Sequence, residues 1–299
     1  ILRLGSLRIP ALDGKVMPQT ETKKATPFNL GIFIPHFQEW PKHVKQLRRC
    51  LDSIKKYEPD LLIHTLVVDD RSYDFHDELE KMRAEFGIGL IRNTHKSSYS
   101  QMVNQALQVF QNLKYTHICT MNNDIEIISP LKDMARESFE LHPRIMVVGG
   151  LLFYPNASVQ AAGFEIQKFG DEFRIEEYEK HRWGLIERGP HQYPHVVHGV
   201  TGALQFIDIS KAIFVGGYNT KYRFGFEDVE FCLRAWMKGG MVYYNPRLQA
   251  VHCESSTRGR FPSERELKSF KQFQEDVAKL DFNELECRLT KAKALFREE

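Results

Sequence analysis

The chain has 299 residues, 42% hydrophobic and 12% aromatic, with Lys+Arg 41 against Asp+Glu 39 and a formal net charge of +2. Such a composition makes a globular protein with one large core or two modest ones, and it carries no global nucleic-acid footprint. The five cysteines (Cys50, Cys119, Cys232, Cys253 and Cys287) are scattered and form no CxxC pair, which argues against a disulfide framework or a thiolate zinc site and for a reducing compartment.

Residues 1–28 are mixed and Pro-punctuated, and read as an extension lying on a domain. Leu30 to Ile34 is a short apolar run closed by Pro35, which suits a buried strand. Val44, Leu47, Leu51 and Ile54 then recur at helical spacing after Pro41. Ile63 to Val68 is a second apolar, β-branched run that stops at Asp69-Asp70. A polar helix is expected from about Phe75 to Phe86, then a short strand near Ile88 to Ile91. Ser98 caps a helix carrying Val103, Leu107, Phe110 and Leu113. His117 to Met121 is a strand ending in Asn122-Asn123-Asp124, and Ile145 to Val148 closes the series before Gly149-Gly150. Strands alternating with helices predict a mostly parallel sheet covered on both faces, with ligands beyond the strands' carboxyl ends. Asp70 and Asp124 both stand at such ends and should converge on one crevice.

Residues 151–198 lose this rhythm and read as irregular strands and loops. They hold His181, Arg182, Trp183, His191, His195 and His198, whose spacing matches no common zinc site, so they read as solvated loop histidines. Trp183 has two readings, a sugar- or base-stacking ring and a packing aromatic. A Gly-containing loop next turns into an amphipathic helix from about Glu227 to Lys238, stopped by Gly239-Gly240. Its first residues, Glu227 and Asp228, suit the positive end of a helix dipole, and a carboxylate held there also suits catalysis. A strand from Met241 to Tyr244 leads through Pro246 to Ala250-Val251-His252. From about Pro262 the tail predicts charged helices docked by Phe270, Phe273, Val277 and Leu280. The basic residues from Lys42 to Lys56 read as a solvated face.

Taken in order, Pro35-His36-Phe37, Asp69-Asp70, Asn122-Asn123-Asp124, Gly199 to Ala203, Glu227-Asp228 and His252 resemble the motifs of inverting family-2 glycosyltransferases, most closely the rhamnosyltransferase-like members. The resemblance covers about residues 29 to 256. It implies a GT-A fold of α/β class: a single Rossmann-like, mostly parallel sheet flanked by helices, with an acceptor subregion and a helical C-terminal tail. The GT-A domain is then expected over 29–260, with nucleotide-sugar binding over 29–150, the acceptor and catalytic part over 151–260, and a tail over 261–299.

The resemblance also implies roles. Pro35, His36 and Phe37 line the nucleotide, and Asp70 accepts hydrogen bonds from base or ribose; read alone, Asp70 is also a turn-forming residue and His36 a loop histidine. Asn122-Asn123-Asp124 matches the family's Asp-x-Asp motif with Asn122 in place of the first acid, which lowers the ligand charge. Asp124 then binds Mn²⁺ or Mg²⁺ with His252, an imidazole that favours Mn²⁺, while Arg258 and Arg260 neutralise the leaving diphosphate. Asp228 is the general base, with Glu227 beside it. The expected activity is transfer of a sugar from a UDP- or dTDP-sugar to an acceptor hydroxyl with inversion. The expected acceptor is a glycan, with a modified nucleic acid or a protein as other possibilities. Two alternatives stand beside it. Arg234 to Gly240 also resembles the retaining polypeptide GalNAc-transferases, although their Asp-x-His motif is missing, and Asn122 motivates a non-catalytic nucleotide-sugar-binding subunit. No stretch approaches the ~18–20 apolar residues of a membrane span, and residues 1–28 lack a signal-like apolar region, so a cytoplasmic enzyme without a permanent anchor is expected.

Overall fold

The computed structural model describes residues 27–37, 41–72, 76–170, 172–177, 192–253 and 263–296. The expectations for residues 1–26, His181, Arg182, Trp183, His191, Arg258 and Arg260 lie outside these residues.

The first half follows the alternation. Strand β1 (Leu30–His36) leads to helix α1 (Pro41–Tyr57), which buries Leu47, Cys50, Leu51 and Ile54. Strand β2 (Thr65–Asp69), helix α2 (His76–Phe86) and strand β3 (Gly89–Arg92) come next. Helix α3 (Tyr99–Asn112) starts with a capping box: Ser98 accepts from the Gln101 amide, and the Gln101 side chain accepts from the Ser98 amide. Strands β4 (His117–Met121) and β5 (Ile125–Ile127), helix α4 (Lys132–Glu140) and strand β6 (Ile145–Phe153) complete this part.

Strand β7 (Val159–Ala161) pairs with β6, and β8 (Phe164–Phe169) and β9 (Glu172–Glu177) form a separate hairpin. The chain goes on through β10 (His195–Val196), β11 (Leu204–Asp208), α5 (Ile209–Phe214), α6 (Glu227–Met237) and β12 (Met241–His252). Two tail helices, α7 (Glu264–Val277) and α8 (Phe282–Leu295), end the described chain.

The main sheet runs β10-β12-β6-β11-β4-β1-β2-β3, with β5 on β12 and β7 on β6. Strands β3, β2, β1 and β4 are mutually parallel, as are β6 and β12, and β11 is antiparallel between the two groups. Every residue of β2 and β4 is buried, as strands covered on both faces require. Because β1, β2 and β4 are parallel, His36, Asp70 and Asn122 emerge at one edge of the sheet. Among the described residues no helix is long and apolar enough to cross a membrane.

The fold differs from the sequence reading at several places. Ile63 lies in a 3₁₀ turn (Pro59–His64) and is 71% exposed, so β2 starts only at Thr65. Strand β6 does not stop at Val148. It runs through both glycines, because a Cβ on Gly149 would stand 2.4 Å from Val200 Cβ and one on Gly150 would stand 2.2 Å from the Leu248 carbonyl oxygen. These glycines admit close neighbours rather than ending the strand. The segments flanking Pro246 form one strand, β12, whose pairing with β6 shifts register between Tyr244 and Gln249. On α7 the buried stripe is Ser269, Phe273 and Val277, at i, i+4 and i+8, whereas Phe270 is 43% exposed.

Candidate active site

Asp69 and Asp70 end β2 with different duties. Asp69 is fully buried; it accepts from the Ser72 amide at 3.3 and 3.2 Å and from Arg92 Nε at 3.1 Å. Arg92 Nη2 also donates to the Ser72 carbonyl at 2.7 Å, which closes the loop around Arg71, a residue with φ +66°. Asp70 is thereby held at the loop's apex. Its amide donates to the His36 carbonyl at 2.7 Å and its Oδ1 accepts from the Ser97 amide at 2.6 Å. Burial pushes its carboxyl upward, opposed by the Ser97 amide and the charge of Lys96. The sequence reading gave Asp69 no role of its own and missed Arg92 and Ser97. One signal existed: Asp69 and Arg92 are opposite charges at the ends of neighbouring parallel strands, where they are register partners.

The residues at the end of β1 meet those at the end of β4. Asn123 Nδ2 donates to His36 Nδ1 at 2.8 Å, which leaves the proton of a neutral His36 on Nε2. Pro35 is a register partner of Val68 in β2, and Lys96 Nζ lies 4.8 Å from the centroid of the Phe37 ring.

His252 arrives from the far end of the chain. Antiparallel pairing of β12 with β5 sets it opposite Ile125, one residue beyond Asp124. Its Nε2 is 3.2 Å from Asp124 Oδ1 and 3.4 Å from Asn122 Nδ2, and its Nδ1 is 2.7 Å from Gln160 Oε1. Because Gln160 Oε1 can only accept, Nδ1 carries a proton, and in the neutral ring the Nε2 lone pair faces Asp124. A second partner fixing the tautomer and aim of an imidazole is the usual support of a metal ligand. Among the described residues no group of three or more His, Cys, Asp or Glu surrounds a metal position. The described residues here offer one carboxylate, one imidazole and the side-chain amide of Asn122. That donor set fits a divalent cation whose remaining ligands are substrate phosphates and water. Gln160, on β7, carried no sequence signal.

Glu227 and Asp228 open α6 after Gly225 (φ +82°) and Phe226 (φ +67°). Asp228 Oδ2 accepts from the Gly202 amide at 2.7 Å and its Oδ1 from the Val229 amide at 2.9 Å. Tyr99 donates its hydroxyl to the Gly202 carbonyl at 2.8 Å. Burial pushes the Tyr99 phenol well up, opposed by a hydrogen bond with Thr120 and reinforced by the Asp228 and Glu227 charges, so it stays a proton donor. Gly202 is enclosed: a Cβ there would lie 3.2 Å from both Asp228 Cβ and Tyr99 Oη. The next residue, Ala203, accepts from the Asn122 amide at 3.0 Å. Two consecutive residues, Gly202 and Ala203, therefore tie the acid pair to the turn that carries Asp124. Neither this tie nor Tyr99 was legible beforehand.

His195, on β10, and His198, just after it, belong elsewhere. His198 is 1% exposed rather than solvated; its Nδ1 accepts from the Ile166 amide at 3.0 Å and its Nε2 lies 3.4 Å from Glu286 Oε1 on α8. Burial lowers its pKa to about 4, so it is a neutral packing residue that seats the tail. His195 is partly buried, with Nδ1 2.7 Å from the Tyr193 carbonyl oxygen.

No protein-family model matches the chain. A curated relative, an uncharacterized protein y4gI of Sinorhizobium fredii (strain NBRC 101917 / NGR234), is 25% identical over 237 residues; the match covers 73% of this chain but only 24% of that protein. Among solved structures, GalNAc-T7 with UDP, GalNAc and Mn²⁺ matches with a TM-score of 0.60 at 15% identity, over 83% of this chain and 48% of that one. S. aureus TarS matches with a TM-score of 0.54 at 12% identity, over 85% of this chain and 40% of that one. The chain thus spans less than half the length of each of these proteins. Both structural neighbours are GT-A glycosyltransferases, and this chain has their fold: a curled, mostly parallel central sheet flanked by helices, with a helical C-terminal region.

Proposed function

We propose that the protein is a metal-assisted glycosyltransferase that moves a sugar from a nucleoside-diphosphate sugar to an acceptor hydroxyl with inversion. The observation that carries this reading is the Gly202–Ala203 tie, which keeps an acid pair, a His252–Asp124 pair and a strand-end turn in one assembly. Asp70 accepts from the base or ribose through Oδ2, its Oδ1 being engaged by Ser97. The Phe37 ring and Lys96 stand at the end of β1 and beside Asp70, where a nucleotide would lie. Asp124, His252 and the Asn122 amide oxygen would hold Mn²⁺ or Mg²⁺, which when bound stabilises negative charge on the departing diphosphate.

In this reading the acceptor oxygen forms a bond to the anomeric carbon as the bond to the diphosphate breaks. The hydroxyl proton passes to the Asp228 carboxylate. The amides of Gly202 and Val229 orient that carboxylate. Glu227 stands beside it to hold the acceptor. The acceptor best suited to this chemistry is a glycan hydroxyl.

The test is turnover of a panel of UDP- and dTDP-sugars with Mn²⁺, read as released nucleoside diphosphate and, with glycan acceptors, as the product's anomeric configuration by NMR. Release with an inverted product upholds the reading. An anomer of unchanged configuration makes the enzyme a retaining transferase, and binding without release makes it a nucleotide-sugar-binding subunit.

A further inference from the structure

Phe226 is a bulky residue held in the left-handed region directly before the two acids. Such a conformation costs of order 1–3 kcal/mol and persists only where the surroundings impose it. Here the surroundings are one helix from the C-terminal tail. The Phe226 ring stacks on Phe273 of α7 at 5.3 Å and 25° and meets Phe270 at 5.5 Å. Ser269 Oγ accepts from the Phe224 amide at 3.4 Å, and the Tyr222 hydroxyl donates to Asp276 Oδ2 at 3.1 Å. Ser269 and Phe273, with Val277, are the buried stripe of α7, so this face is spent on the loop that precedes the acids. The opposite end of the loop is anchored by α6 itself, whose first turn closes with the Glu230 amide on the Phe226 carbonyl at 2.9 Å. The same helix also reaches the β8–β9 hairpin. Gln274 accepts from the Phe173 amide at 3.0 Å and donates to its carbonyl at 2.7 Å.

We propose that α7 is part of the active site: Phe226 and Phe273 are positioning residues that set the aim of Asp228 by clamping the strained turn before it. This rests on Asp228 being the base. The aim of the carboxylate depends on where α6 begins, and α6 begins where Phe226 turns. A tail that served only stability would have no need to set two rings against this one strained residue and to bond two of its neighbours, Phe224 and Tyr222.

The variant that separates the two roles is Phe226→Gly. Glycine takes a positive φ without strain, so this variant keeps the backbone accessible and sheds the cost of the conformation while losing the ring. A merely structural role leaves its kcat within about twofold of the parent; the positioning role lowers kcat about 10- to 100-fold, the scale expected for a misplaced catalytic group. Donor KM and nucleotide affinity stay within about threefold, because those groups lie at the strand ends. Phe273→Leu, changed on the other side of the clamp, gives the same split, and Phe226→Tyr restores kcat. Hydrogen exchange at residues 227–231 is read on the same proteins, with thermal midpoints to show that they are folded. Faster exchange there in both variants upholds the clamp. Unchanged exchange and unchanged kcat overturn it, as does an equal loss in nucleotide affinity. If the parent protein transfers no sugar from any donor, the functional reading has failed separately, and exchange alone decides the clamp.

Discussion

His36, Asp70 and Asn122 stand at the carboxyl ends of three parallel strands, whereas Asp228 reaches them on a helix that starts at a strained turn. The first set is placed by sheet register, a repeating ladder of backbone bonds that no single side chain controls. The acid is placed by a few long-range contacts: a glycine amide 26 residues earlier in the chain, a tyrosine 129 residues earlier through that glycine, and a phenylalanine pair closed by the tail. The strand-end half should therefore tolerate point changes that the acid half does not.

Asp228→Asn gives the largest effect and the sharpest contrast. It keeps an oxygen for the Gly202 amide but removes the proposed proton acceptor, so kcat should fall by about 10²–10⁴-fold while nucleotide affinity, read by calorimetry, holds within a few-fold. Gln160→Leu probes the other half. It frees His252 to turn, and the Mn²⁺ concentration needed for half-maximal activity should rise about 10–100-fold with little change in the kcat reached at saturation. A loss of kcat at saturating metal would break the proposed division between the halves. Gly202→Ala crowds Asp228 and Tyr99 at 3.2 Å. It should cost about 1–3 kcal/mol in a urea titration and lower kcat roughly tenfold.

The smallest effect should be blind to the division. Burial lowers His117 and His198 to about 4 each, so both are neutral when folded but take up protons when unfolded below about 6.5. Between those values the unfolded chain binds more protons, so stability is complete above pH 6.5 and declines as pH falls toward 4. Urea midpoints at pH 7, 5.5 and 4.5 check this.

The same division governs what the sequence disclosed. Asp70 and Asp124 were visible because a short apolar run that stops at a cluster of Asp or Asn declares both the strand and its terminus. Ser98 was visible as a cap because its partner Gln101 lies three residues away. Gln160, Tyr99 and the Gly202 amide were not, since their partners lie 92, 103 and 26 residues distant and no local pattern couples them. Ile63 was misassigned because β-branched residues alone do not reveal a Pro59-initiated 3₁₀ turn. Gly149 and Gly150 read as a stop because a glycine that admits Val200 or the Leu248 backbone looks, in one dimension, like one that turns the chain. Phe270 does touch Phe226 but stays partly exposed, while its neighbour Ser269, which hydrophobicity passed over, is buried.

The two residues Gly202 and Ala203 also set where this protein can change length. Both are committed, one to Asp228 and the other to Asn122, and β11 begins at once with Leu204 opposite Met121. An inserted residue would lengthen the path by about 3.3 Å and turn the side chains of β11 to the opposite face of the sheet. The β8–β9 hairpin forms a separate two-stranded sheet, where a longer connection costs little. Related chains should accordingly differ in size around that hairpin and keep a constant spacing from Gly202 into β11.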